Sequence, residues 1–194
     1  MRLIVGLGNP GRRYLDSRHN IGFTAVKALA RNCKGSFKKE SSVAALSARV
    51  RIAGETVILA LPLEFMNLSG IALAALLKKY RLGPQALLVV CDDLDLALGR
   101  LKIKSRGSSG GHRGLQSIID VLGTKDFSRL RLGIGRPFKN SDAAGYVLAA
   151  FTGKEKEIVR RLINKAAACC KTWVSKGITE TMNIFNKRSS NEKV

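Results

Sequence analysis

The sequence predicts an α/β protein: a single three-layer domain with a central, mixed, twisted sheet flanked by helices. Three observations carry this. Short apolar, β-rich runs alternate along the chain with segments of helical periodicity. Some strand-like runs are direct neighbours, notably 43–52 and 55–61, which makes the sheet mixed rather than wholly parallel. At 194 residues, 45% of them apolar, the chain is long enough for one well-packed domain. No internal repeat or linker divides it, so the domain is expected over residues 1–185, followed by a polar, flexible tail over 186–194.

Taken in order, residues 3–6 read as a strand entering a glycine-rich loop. Residues 21–32 read as a helix with Asn20 at its N-cap. The runs 43–52 and 55–61 read as strands around a turn at Ala53-Gly54. Leu68, Ile71, Ala72, Ala75 and Leu76 recur at helical spacing. The unbroken apolar run 86–91 is that of a central strand, and 100–104 alternates as a half-buried one does. Leu115, Ile118, Ile119 and Leu122 mark a further helix, and 130–134 a further strand. Val159, Leu162, Ile163, Ala166, Cys170 and Trp173 trace a long C-terminal helix, after which the chain is polar from Asn186.

Bulk composition narrows the class. Thirty-four Lys and Arg against 14 Asp and Glu give a net charge of +20, which favours a polyanionic partner, nucleic acid or an anionic membrane surface. Aromatic residues are only 6%, too few for a broad base-stacking platform. No run approaches the roughly 18 apolar residues of a membrane span, and no signal peptide is read at the start. Cys33, Cys91, Cys169 and Cys170 lack C-x-x-C spacing and read as reduced thiols, so a cytoplasmic location is expected.

Five stretches offer chemistry. Gly6-x-Gly8-x-x-Gly11 fits a dinucleotide fingerprint, but no helix opens within it. The acid needed about 20 positions on is also missing, since none lies between Asp16 and Glu40. The glycines instead shape a loop presenting Asn9 and His19, one of only two histidines. Gly107-Ser108-Ser109-Gly110-Gly111 fits G-x-S-x-G, yet the only later histidine, His112, is too close to act as a triad base. A loop allowing close ligand approach is the alternative. Asp92-Asp93-x-Asp95 resembles a hard-cation cluster. Neighbouring side chains on an extended segment diverge, so local ion pairs, or one carboxylate orienting His19, are the alternatives. Asn67, in Phe65-Met66-Asn67-Leu68-Ser69-Gly70, reads by itself as an N-cap. Lys102 and Lys104 share a strand face and, with Arg106, Arg131 and Arg136, form either a solvated face or a phosphate clamp.

Together these segments resemble the bacterial-type peptidyl-tRNA hydrolases. The matching pieces are GLGNPGRRYLDSRHNIGF (6–23), PLEFMNLSG (62–70), VVCDDLDLALGRLKIK (89–104), GGHRGLQSII (110–119) and FSRLRLGIGRP (127–137), in that family's order, with the likeness running to about residue 185. The resemblance implies a single-domain α/β fold with a mixed sheet. It implies hydrolysis of the ester joining peptide to tRNA, which recycles tRNA during translation, with no metal and no cofactor. It casts His19 as general base on water and Asp92 as its orienting carboxylate. Asn9 and Asn67 become amides holding the peptide and the reacting centre, and Met66 an apolar wall. Tyr14, His112 and Arg113 are further substrate-binding candidates. Lys104 and Arg131, with Lys102 beside them, become the tRNA-binding set, and 141–150 a lid helix. A cytoplasmic monomer acting on peptidyl-tRNA, with no membrane partner, is the expectation.

Two positions depart from the family's pattern. Arg113 stands where asparagine is usual, so a donor-only permanent cation replaces an amide that both donates and accepts. Cys91 stands where His or Tyr is usual. The competing expectation is a non-catalytic RNA-binding relative of the same fold. A phosphoesterase using a metal on Asp92, Asp93 and Asp95 is a more distant one.

Overall fold

The computed structural model describes residues 1–137 and 142–187. β1 (Arg2–Gly6) leads through 3₁₀ turns at Arg12–Tyr14 and Arg18–Asn20 into α1 (Ile21–Asn32). β2 (Lys38–Lys39), β3 (Ala45–Ile52) and β4 (Glu55–Pro62) follow, then a 3₁₀ turn at Met66–Leu68 that opens α2 (Ser69–Tyr80). Next come β5 (Leu87–Asp93), β6 (Leu101–Lys104), α3 (Arg113–Leu122), β7 (Ser128–Gly133), α4 (Ala143–Leu148) and α5 (Gly153–Phe185).

The seven strands form one sheet in the order β2-β3-β4-β1-β5-β7-β6. β1 runs parallel to both β4 and β5, and β5 parallel to β7, while β2, β3 and β6 add antiparallel pairs. The mixed sheet expected from adjacent strand runs is therefore present. Its central strands are apolar on both faces. Ile4, Leu59, Val90 and Leu130 face α1 and α5. Leu3, Val5, Ile58 and Val89 face α2 and α3. β1 hands the chain to α1 on one face and β4 hands it to α2 on the other, so a crevice opens beyond the carboxyl ends of these strands.

Gly6, Gly8 and Gly22 serve this junction. A Cβ on Gly22 would lie 2.4 Å from the Val90 carbonyl oxygen and 2.6 Å from that of Leu7. One on Gly6 would lie 2.5 Å from the Gly22 oxygen, and one on Gly8 2.7 Å from the Phe23 ring. α1 thus starts in direct contact with the backbone of β1 and β5, which accounts for Gly6 and Gly8, whereas Gly11 faces open space at a positive φ of 102°.

Several local expectations change. Asn20 occupies the N-cap position of α1 but makes no capping hydrogen bond. β2, two exposed lysines, has no apolar period that a reading of the sequence could detect. α5 leaves helical geometry at Gly177, where φ is 77°. Asn186, expected to open the tail, is held: its amide accepts from the Ile103 N–H (2.9 Å) and donates to the Ile103 carbonyl (2.8 Å), closing part of the β6 edge. Residues 188–194 and Ser141, the first residue of the expected lid, lie outside the described residues. Among the described residues no helix is long and apolar enough to cross a membrane.

Candidate active site

A crevice of about 550 Å³ occupies the carboxyl ends of β1, β4, β5 and β7. At its base lies Asp92, at the end of β5 and only 4% exposed. β5 runs two residues beyond the expected strand and carries Asp92 and Asp93 on opposite faces. Asp92 Oδ1 receives two imidazoles: His19 Nδ1 at 2.8 Å and His112 Nε2 at 3.0 Å. The rings are tilted 43° to each other with centroids 5.1 Å apart.

The hydrogen-bond network assigns both tautomers. His112 is the N-cap of α3, and its Nδ1 accepts from the N–H groups of Gly114 (3.1 Å) and Leu115 (3.2 Å). That nitrogen carries no proton, so Nε2 does and donates to Asp92. His19 in turn donates from Nδ1 to the same oxygen, which leaves its Nε2 as the free basic atom. Burial alone would raise the Asp92 pKa. The electrostatic interactions and hydrogen bonds from His112 and His19 more than reverse this and hold it well below the usual carboxylate range.

Asn9 is placed by a second clamp. Its backbone N–H donates to Asn20 Oδ1 (2.8 Å), and Asn20 Nδ2 donates to the Asn9 carbonyl (3.0 Å). The Asn9 side-chain oxygen accepts from the Met66 N–H (2.8 Å), so its NH₂ is left as the free donor beside the crevice. Asn20 has therefore given up capping to hold a site residue.

The three neighbouring acids divide among separate partners. Asp93 Oδ2 lies 2.7 Å from Arg131 Nε, and its other oxygen accepts from the Asp95 N–H. Asp95 pairs with Arg136. They do not converge on a cation. His19, Asp92 and His112 do bring ligand-type atoms within 4.8 Å of one another. However, His112 Nε2 holds its proton and has no lone pair to offer a metal while Nδ1 caps α3. The glycine-serine loop is no nucleophile elbow. The Ser109 hydroxyl donates to Gln116 (2.7 Å), and Arg129 donates to the carbonyls of Gly107 and Ser108.

Of the residues singled out from the sequence, His19, Asp92, Asn9, Met66 and Asn67 line the crevice, as do Tyr14, His112, Arg113 and Arg131. Asn67 is exposed within the 3₁₀ turn and caps nothing. Arg113 is exposed at the first turn of α3. Lys102 and Lys104 do not line the crevice. Lys102 is paired in register with Arg131, and Lys104 with Arg129, so four cations share one face of the β6–β7 pair. Arg129 is buried and spent on holding the loop. The crevice also has an apolar side that the residues by themselves did not reveal, made by Phe65, Leu94, Val147 and Leu148.

A three-layer α/β protein whose strand ends carry a free imidazole nitrogen, a buried carboxylate behind it and an amide donor beside it belongs to the class of water-activating hydrolases. Comparison with known proteins narrows this. The peptidyl-tRNA hydrolase family profile matches residues 3–193. The peptidyl-tRNA hydrolase of Aquifex aeolicus is 43% identical over 190 residues, 97% of each chain. That of Syntrophomonas wolfei is 45% identical over 186 residues, 96% of this chain and all of the relative. The solved peptidyl-tRNA hydrolase of Acinetobacter baumannii superposes with a TM-score of 0.91 at 35% identity, covering 97% of this chain and 96% of the other. The chain belongs to the peptidyl-tRNA hydrolase family.

Proposed function

We infer that this chain hydrolyses the ester between peptide and tRNA in peptidyl-tRNA, with His19 as general base. The observation that carries the reading is the single Asp92 oxygen that fixes the His19 tautomer beside the Asn9 amide. His19 Nε2 takes a proton from water as the water oxygen bonds to the ester carbonyl carbon. The carbonyl oxygen gathers negative charge, which the Asn9 NH₂ meets. Collapse of the tetrahedral species breaks the bond to the ribose oxygen, which recovers the proton from His19. Asp92 favours the imidazolium formed between these steps. General-base help of this kind is typically worth about 10²–10⁴-fold, and one oxyanion donor about 10²–10³-fold.

Met66 and Asn67 serve the peptide end, with Tyr14, His112 and Arg113 as further substrate contacts. Lys102, Lys104 and Arg131 serve the tRNA backbone, which the net charge of +20 supports. The protein is read as a cytoplasmic monomer, consistent with four free thiols. Single-turnover hydrolysis of an N-blocked aminoacyl-tRNA tests the reading. His19→Ala is expected to stop release of the peptide while tRNA binding survives. A parent chain that binds the substrate without cleaving it is instead the non-catalytic RNA-binding relative.

A further inference from the structure

Arg18 immediately precedes His19, and the reaction described above gives it no task. Its side chain is buried, and its guanidinium forks onto Glu155, Nη1 to Oε1 at 3.1 Å and Nη2 to Oε2 at 3.0 Å. The guanidinium carbon lies 4.4 Å from the centre of the Tyr146 ring and 4.8 Å from that of Phe151. The Arg18 N–H donates to the Ala149 carbonyl (3.0 Å), and Ser17 forms an isolated bridge with Ala150.

Three elements meet at this cation. One is the 3₁₀ turn that carries His19. The second is α4, which supplies Tyr146 to Arg18 and Val147 and Leu148 to the crevice wall. The third is the first turn of α5, where Glu155 completes the capping box of Thr152. Tyr146 also donates to the Ile134 carbonyl just past β7 (2.7 Å), so α4 is tied to the strand ends as well. Glu155 is pulled below the ordinary carboxylate range: burial opposes this, and the bonds from Arg18 and Thr152 outweigh it. Arg18 Nε is buried without a hydrogen-bond partner, which is unfavourable. Apolar residues of similar volume commonly hold such a junction as well as an ion pair does. A forked, stacked cation one peptide bond from His19 does something apolar packing does not: it fixes direction.

We propose that Arg18 is a positioning residue that couples His19 to the α4 wall of the crevice, setting the orientation of the base and the place of the wall together. The inference rests on His19 acting as base, and the test keeps the two claims apart. Arg18→Lys keeps the charge but loses the fork. Arg18→Met loses both and strands Glu155. Arg18→Met/Glu155→Gln removes the stranded charge while keeping a side chain able to complete the capping box.

The readouts are kcat and KM on N-blocked aminoacyl-tRNA, the melting temperature, and amide hydrogen exchange over residues 16–20 and 143–150. Both single variants are expected to lose at least about tenfold in kcat, with KM changed by less than about threefold. Exchange is expected to rise in both segments together. The double variant is expected to regain melting temperature over Arg18→Met without regaining kcat. Recovery of kcat in step with melting temperature would show an anchor only and overturn the proposal. So would faster exchange in one segment without the other. A parent chain with no turnover would remove the reading of His19, and the exchange result would still decide the coupling.

Discussion

Replacing Asp92 by asparagine isolates what its charge contributes. Where nothing restrains the new amide, such a substitution is severe, about 10⁴-fold in serine proteases, because the ring is left in the wrong tautomer. Here His112 restrains it. His112 Nδ1 is committed to two backbone N–H groups, so its Nε2–H requires an acceptor where Asp92 Oδ1 sits. An amide at position 92 is therefore expected to keep its oxygen there and still accept from His19. The base retains its tautomer and loses only the negative charge behind the imidazolium. A charged acceptor is worth about 1–2 kcal/mol more than a neutral one in a hydrogen bond. With the residual Coulomb attraction, the loss is about 1.5–3 kcal/mol. Asp92→Asn should then cost about 10–160-fold in single-turnover rate at saturating enzyme.

Adding His112→Ala removes the restraint. The amide can then turn its NH₂ toward His19, forcing Nδ1 to accept and moving the proton to Nε2, where the lone pair is needed. The double variant is expected to fall at least about tenfold below the product of the two single effects. With only two histidines in the chain, imidazole nitrogen spectra report the tautomers directly. An Asp92→Asn variant as slow as His19→Ala refutes the argument, as does a double variant that matches the product of the singles.

Other expectations follow from separate parts of the fold. Glu40 accepts from Lys79, Ser47 and Tyr80, and although burial pushes its carboxyl up, these bonds bring it down to about 2 from 4.5. Because the folded-state pKa is the lower one, this stability is complete above about pH 5 and is lost as pH falls toward 2. Glu40→Gln should remove about 1–2 kcal/mol of that acid sensitivity in chemical denaturation at pH 3 to 6, and parallel curves for the two proteins would count against it. Gly22→Ala should cost about 3 kcal/mol, because the new Cβ meets two fixed backbone carbonyls, and a melting temperature unchanged from the parent would contradict the contact. Lys102→Ala and Lys104→Ala should each lower the salt dependence of tRNA binding by about one counterion, and unchanged slopes would exclude phosphate contact. Arg131→Ala should also strand the buried Asp93 carboxylate and cost about 2–3 kcal/mol of stability, so a fully stable Arg131→Ala protein would show that pair to be unimportant.

The frame of this molecule was legible because it depends on periodicity. The run through Val89 and Val90 is apolar on both faces, as a strand between two helical layers must be, and it lies inside the sheet between β1 and β7. The turn at Ala53-Gly54 has positive φ at both residues, 49° and 82°, the geometry that favours tight hairpins. What was hidden depends on contacts with no period. Asn20 reads as a cap because its position is that of a cap, yet its amide is used by Asn9, eleven residues earlier. β2 has no inward face to betray it. Arg18 reads as one more cation among 34 Lys and Arg, and only the fold brings Glu155, 137 residues away, against it.

The site shows the same division more sharply. Alternation along an extended segment was enough to argue that Asp92 and Asp93 serve different partners, and they do. It could not say that Asp92 receives two histidines, because the second one reaches it only through a helix cap. The family resemblance casts His112 as a substrate contact, and it lines the crevice. Its ring is nevertheless consumed at both ends, by the α3 amides on one side and Asp92 on the other, so it has no free nitrogen with which to accept or give a proton. Two histidines sharing one carboxylate oxygen are thereby unequal. Only His19 keeps a nitrogen open to water, and it does so because His112 keeps that oxygen in place.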